Sequence, residues 1–433
     1  MKNTFVVSCP IDTYSGYGAR ARDFVKALIE LDEYDVKILA QVWGRTTEGF
    51  IKNNYEEWGF LEKHIIPNLT EQPDYWCQIT VPNEFQPVGK FNIGLTAGME
   101  TTIVHGSWIE GCNRMDLILT SSEHSKTTFL NSRFHKDNNP NNIVELQKPI
   151  KVLIEGLNLD VYHKTKEFNN KELYNTIDSI PEKFAYLNVG HWMQGDIGHD
   201  RKNIGLTIKA FYEIFKNRKN APALILKTCV VNGSLMDKSE ILRRIQIIKE
   251  SVGDAKSLPN VYLIHGNFSN DEINELYNHP KIKAMISLTK GEGYGRPLLE
   301  FSAIDKPIIA SDWSGHIDFL KKPNTALVKG DLENVHPTAA VPNMILQESQ
   351  WFRPEPSEIG YLINNVFEDY KTWNKKAKTQ GNFSRKNFSF EVMKNQIAEI
   401  MKNDAPDLPK KMELKLPNMS KIKMPSKTKL KKV

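Results

Sequence analysis

The feature that most constrains this chain is an alternation of two periodicities that recurs in both halves. "TFVVSCP" is a short β-prone run, and the turn-rich loop "IDTYSGYG" follows it. "ARARDFVKALIEL" then places Phe24, Val25, Leu28, Ile29 and Leu31 at helical spacing. "YDVKILAQV" restores a strand, and "FNIGLTA", "MDLILTSS" and "KVLIEGL" are further short apolar runs. Such runs separated by helices belong to a parallel sheet covered on both faces. A polar, strand-poor connection from His163 to Lys183 interrupts the pattern. It then resumes with strands "FAYLNVG", "PALILKTCV", "VYLIHG", "KAMISLT" and "KPIIAS" and helices "IGLTIKAFYEIFKN", "SNDEINELYNHP" and "PLLEFSAI". Ser269 with Glu272 three residues later makes a capping box for the second of these helices.

The expectation is α/β: two Rossmann-like, doubly wound domains facing across a cleft. The boundaries read as 1–165, 166–384, a helix at 385–404 that crosses back to the first domain, and a tail at 405–433. A length of 433 residues suits two domains of ordinary size. No apolar run approaches the roughly 18 residues that span a bilayer. The N-terminus lacks the apolar core of a secretory signal. Cys9, Cys77, Cys112 and Cys229 are scattered without a CxxC pair, which argues against a zinc or disulfide framework and for a reducing cytoplasm. The formal charge is +5, but nine lysines in 405–433 face only Asp407 and Glu413. The body is therefore close to neutral, and any polyanion attraction concentrates in the tail. Prolines and mutually repelling lysines there predict a flexible segment.

"GEGYGRPLLE", Gly291 to Glu300, carries the chemistry. Its glycines relax the backbone just past a strand, and Pro297 suits a helix start. Glu292 is expected in the loop and Glu300 in the first helical turn, where free N–H groups of Leu298 and Leu299 would make an anion site. In "GHDRKNIGLTIKAF", Arg201 and Lys202 precede a helix with Asn203 as its expected N-cap, and fixed cations there can hold an anionic group. "YSGYGARARDF" sets Gly16 and Gly18 between strand and helix, with Arg20 and Arg22 read chiefly as helix-surface charges.

The spacing of Glu292 and Glu300 resembles the E-x7-E motif of retaining nucleotide-sugar glycosyltransferases of the GT-B fold, family 4 in particular. The similarity covers most of residues 1–400. It is strongest from Asn188 to Leu320 and weakest from Gly44 to Pro87. The resemblance implies that Glu292 holds the donor sugar and Glu300 the ribose. Gly293, Tyr294 and Gly295 would lie against sugar and diphosphate, and Lys202 would hold the phosphate. Arg201 stands in for an arginine the family has where this chain has His191. Gly16 and Gly18 resemble the first glycine loop, which faces the diphosphate. Backbone near Ile264 to Gly266 would read the base, and Asn158 replaces a usual aspartate. On the acceptor side, Glu100 and His105 are the polar residues expected at the cleft, with His124 as the other histidine that could match the family's.

The implied reaction moves a sugar from a nucleotide sugar, UDP- or GDP-linked, to an acceptor hydroxyl with retention and without a metal or other cofactor. The leaving phosphate takes the acceptor's proton. The acceptor classes left open are a glycan, a lipid-linked sugar, a protein and hydroxymethylated DNA. The last has a precedent in glycosyltransferases of large phages, and the basic tail could supply salt-dependent attraction to it. A catalytically inactive scaffold that binds polyanions through its tail is the alternative from another class.

Overall fold

The computed structural model describes residues 2–44, 46–136, 139, 142–230 and 234–409. Two six-stranded sheets organise the chain. The first comprises β1 (Thr4–Cys9), β2 (Asp35–Ala40), β3 (Tyr75–Ile79), β4 (Phe91–Leu95), β5 (Leu117–Thr120) and β6 (Ile150–Val152), in the order β2-β1-β3-β4-β5-β6. The second comprises β7 (Ala185–His191), β8 (Ala223–Cys229), β9 (Val261–Ile264), β10 (Ile282–Ser287), β11 (Ile308–Ser311) and β12 (Ala326–Val328), in the order β9-β8-β7-β10-β11-β12. Every pairing within both sheets is parallel. The strand order of the second sheet reverses between β7 and β10, and the crevice outside that switch point is where open α/β sheets take ligands.

Local chemistry explains the element starts. The helix Gly16–Leu31 begins because the Ser15 hydroxyl accepts from the Gly18 N–H, and it stops at Asp32, which adopts the left-handed conformation at φ 54°. Ser269 and Glu272 form the expected capping box on Asn270–Asn278. Asn203, expected to cap Ile204–Phe215, does not do so. It sits at φ 51° with its side-chain amide donating to the Leu288 carbonyl, and the Asp200 carboxylate accepts from the Ile204 N–H instead.

One apolar core runs through both halves, joining Phe5, Phe24 and Leu28 to Tyr294, Leu298, Phe319 and Met393. The last helix, Phe390–Asp404, lies on the first half. The Phe390 N–H donates to the Leu157 carbonyl at 2.9 Å, the Leu157 N–H donates to the Phe388 carbonyl at 2.8 Å, and a Cβ on Gly156 would come within 2.7 Å of the Phe390 Cα.

Four local features depart from the reading of the sequence. The central strand β3, "YWCQI", is fully buried between β1 and β4, although its polar Gln78 and bulky aromatics masked it as a strand. The polar connection at 163–183 contains the helix Lys171–Asp178, capped by Asn170. An antiparallel hairpin of β13 (Gly330–Asn334) and β14 (Gln350–Pro354) follows the second sheet; its charged, mostly exposed first strand carries no apolar alternation. The tail begins tied down rather than flexible, since the Leu408 carbonyl accepts from the Asn3 amide and the Pro406 carbonyl from the Tyr75 hydroxyl. Its remaining part, 410–433, lies outside the described residues. Among the described residues no helix is long and apolar enough to cross a membrane, and all four cysteines are free thiols.

Candidate active site

The loop after β10 meets the first half of the chain directly. A Cβ on Gly291 would fall 1.9 Å from the Glu100 carbonyl oxygen, and one on Gly293 would fall 2.4 Å from that of Ala97. The Ser122 hydroxyl donates to the Gly293 carbonyl at 2.6 Å. Close approach, not left-handed backbone, is thus what demands glycine at 291 and 293. Only Gly295 uses the left-handed region, at φ 97°, as it opens the helix Arg296–Ser302.

Glu292 is buried in this loop and receives the Lys202 ammonium at 2.5 Å on one oxygen, with Arg201 3.6 Å from the other. Burial works to raise its pKa, but the Lys202 and Arg201 charges overcome this and hold it at about 2. Arg201 also donates to the Gly291 carbonyl at 2.9 Å and stands 3.3 Å from the Glu100 carboxylate. One guanidinium therefore connects a carboxylate of each half. Burial lowers the Lys202 pKa against the pull of Glu292. Glu292, Lys202, Arg201 and Glu100, widely separated in sequence, form one constellation at the switch point of the second sheet.

Glu300 stands in a different environment. It lies in the second turn of its helix, not the first, and is 6% exposed. Its carboxylate accepts from Arg296 at 3.1 Å and from the Tyr277 hydroxyl at 3.2 Å. The same Arg296 reaches Asp23 at 2.6 Å and approaches Glu155 at 3.8 Å, so one guanidinium is divided among three carboxylates. Burial outweighs Arg296 and raises the Glu300 pKa to about 7. The expected free N–H groups of Leu298 and Leu299 are not free: both turn back to the Gly295 carbonyl, at 2.9 and 3.3 Å, because the helix opens with a tight turn. Tyr294 is buried, and its hydroxyl donates to the Glu155 carbonyl across the two halves.

In the first glycine loop, Gly18 is packed against Thr13 and its N–H is taken by Ser15, whereas Gly16 faces open space. Arg20 and Arg22 are not surface charges. Arg20 is wholly buried and donates to the carbonyls of Leu153 and Ile154, and Arg22 donates to those of Ile11 and Thr13 while stacking 3.4 Å over Phe50. Guanidinium groups with this many main-chain acceptors are structural ties.

The two histidines separate. His105 is the N-cap of the helix Gly106–Asn113, its Nδ1 accepting from the Ser107 N–H. The His124 ring packs edge-on against Trp313 at 4.5 Å, and Trp313 in turn lies against Gly291. His124 is thus the histidine brought to the glutamate loop. Its Nε2 is buried without a hydrogen-bond partner, and burial lowers its pKa to about 4. His316, which sequence reasoning missed, is fully buried beside Gly295, with Nε2 on the Ser311 carbonyl at 2.7 Å and Nδ1 unpartnered. Lys290 was missed as well: its carbonyl accepts from Phe352 and its ammonium from the body reaches Glu333, tying the β13–β14 hairpin to this loop. The hairpin also reaches the first half, where Gln350 exchanges hydrogen bonds with Thr102 at 2.9 Å.

No protein-family model matches the chain, and no curated protein matches it. Solved structures do. The crystal structure of Anabaena Alr3699/HepE in complex with UDP and glucose matches at TM-score 0.60 and 14% identity over 92% of this chain and 99% of that one. Sucrose-phosphate synthase from Thermosynechococcus elongatus matches at TM-score 0.58 and 11% identity, covering 93% and 98% of the two chains. An α,α-trehalose-phosphate synthase (UDP-forming) from Burkholderia vietnamiensis matches at 0.57 and 8%, covering 94% and 98%. These likenesses extend over both halves, and the fold is GT-B.

Proposed function

We propose that the protein is a glycosyltransferase that takes a sugar from a nucleotide-sugar donor, of the UDP- or GDP-linked type, and transfers it with retention to an acceptor hydroxyl. The observation that carries this reading is the buried Glu292–Lys202–Arg201 constellation at the switch point of a GT-B fold. Structures similar to this chain include Anabaena HepE in complex with UDP-glucose, which favours a UDP-linked donor as the first to test.

On this reading Glu292 exchanges its cation contacts for donor-sugar hydroxyls. Lys202 and Arg201 then turn to the diphosphate, whose charge grows as it leaves. The bond from the anomeric carbon to the phosphate oxygen breaks, and the bond to the acceptor oxygen forms on the same face. The departing phosphate takes the acceptor proton, so no protein base is required. Two fixed cations supply the charge stabilisation that a metal would otherwise supply. Contacts between the halves at Gly291, Gly293 and Ser122 keep water from the donor, whose hydrolysis is the competing reaction. Glu300 is the group assigned to the ribose, and it must exchange its Arg296 contact to take that role.

The test is a panel of nucleotide sugars with and without EDTA, read by nucleoside diphosphate release, with NMR of any product to assign the anomeric configuration. Release from at least one donor that Glu292→Ala abolishes supports the proposal. Equal release by both proteins on every donor overturns it.

A further inference from the structure

A cavity of about 600 Å³ lies away from the Glu292 constellation, at the connection between the two halves. It is lined by Lys164, Lys166 and Lys306 and by the rings of Phe168 and Tyr174. Residues 163–168 are part of the chain's passage from the first sheet to the second. Lys306 precedes β11, so the cavity opens at the amino-terminal edge of that sheet, opposite the carboxyl edge that carries Glu292.

The charges in this cavity are unbalanced. Lys306 is half-buried, and its ammonium donates only to the main-chain carbonyls of Tyr277 and His279, at 2.5 and 3.0 Å. No carboxylate of the described residues lies within ion-pair distance of it. Burial and the neighbouring Lys283 lower its pKa to about 7. The nearby acids are committed elsewhere. Asp305 holds Lys164 and Arg385, and Glu275 accepts the N–H groups of Asn169 and Asn170. Neither the carbonyl-bound Lys306 amine nor the exposed Lys166 has a carboxylate partner among the described residues, and both line the cavity with a pair of tilted rings whose centroids are 4.7 Å apart. Basic groups and aromatic rings lining one cavity match a ligand with a charged head and a flat body.

We infer that this cavity binds a small ring-bearing anion, a phosphate or carboxylate on a flat aromatic ring, with the anionic head on Lys306 and Lys166 and the ring on Phe168 and Tyr174. The site is independent of the donor reading. Its occupant would touch both the connection and the end of the segment that carries Arg296 and Glu300, since Ile304 lines the same cavity. The Asn278 side chain, also in its wall, already ties the connection by accepting from the Thr165 N–H at 3.1 Å and donating to the His163 carbonyl at 2.9 Å. An occupant would therefore add to the ties that set the two halves.

The experiment uses the full chain with phenyl phosphate, benzoate, inorganic phosphate and phenol as probes, read by calorimetry and thermal shift. Phenyl phosphate or benzoate is expected to bind, with inorganic phosphate and phenol each weaker because each lacks half of the recognition. Lys166→Ala, an exposed position that leaves the core untouched, is expected to weaken binding about tenfold. Lys306→Met is expected to abolish it. Donor turnover in Lys166→Ala should stay at the wild-type level, which separates this site from the Glu292 constellation. Absence of binding by both ring anions, or equal affinity in wild type and Lys166→Ala, overturns the inference. Neither result bears on whether the protein turns over a nucleotide sugar.

Discussion

The Lys202 ammonium lies 2.5 Å from the Glu292 carboxylate, and Arg201 holds the other oxygen at 3.6 Å. The carboxylate assigned to the sugar and the cations assigned to the phosphate are thus each other's partners before a donor arrives. Glu292→Gln keeps the shape and removes the charge. Donor turnover is expected to fall by about 100-fold or more. Affinity for the free nucleoside diphosphate should hold or rise, because both cations are released to it. Calorimetry with UDP and GDP beside a turnover assay separates the two effects, and unchanged turnover would refute the assignment.

Glu292 and Glu300 should titrate in opposite directions. Glu292 is held at about 2, below its ordinary 4.5, so the stability it contributes is present above pH 4.5 and is lost as pH falls toward 2. Glu300 is raised from 4.5 to about 7, so the native state binds the extra proton and stability falls as pH rises from 4.5 to 7. Glu300→Gln should flatten the slope in that upper window and leave the acid limb unchanged. Denaturant melts of both proteins at intervals from pH 3 to 8 check this. Parallel curves between pH 4.5 and 7 would contradict it.

The glycines of the two loops should fail for different reasons. Gly291→Ala drives a Cβ into the Glu100 carbonyl and is expected to cost about 1–3 kcal/mol as well as activity, because the halves must separate. Gly16→Ala meets nothing within 4 Å, so its melting temperature should match wild type. Any loss of turnover in Gly16→Ala then reports approach of the donor to that loop. Thermal melts of the two variants side by side distinguish the cases.

His105 and His124 should also part company. His105→Ala removes a helix cap and is expected to cost about 1 kcal/mol with turnover within a few-fold of wild type, and His105→Asn should restore the stability. His124→Ala removes a ring packed on Trp313 beside the glutamate loop, and turnover should fall more than stability does. Equal effects of the two alanine variants on the catalytic rate would remove the distinction.

The alternation of short apolar runs with helical spacing was enough to read the two parallel sheets, because strand and helix periods are properties of neighbouring residues. The capping box at Ser269 was legible for the same reason. β3 was not, since its burial depends on β1 and β4, which flank it in space but lie far away in sequence. The hairpin after β12 was not legible either, as its register is set by ladder partners and not by an apolar pattern.

The candidate site divides along the same line. Residue types and local spacing, together with the family resemblance they carry, singled out Glu292, Glu300, Arg201 and Lys202. What each one touches is a long-range matter. Only the folded chain sets Lys202 on Glu292, joins Glu100 to Glu292 through Arg201, and encloses Glu300 with Arg296 and Tyr277. The same packing turns Arg20 and Arg22 inward and presses Gly291 against Glu100. Sequence by itself determined the periods, the caps and the inventory of charges. Tertiary structure decided the pairing of those charges and their pKa values, because desolvation and Coulomb interaction depend on distances that the two halves create only when packed together.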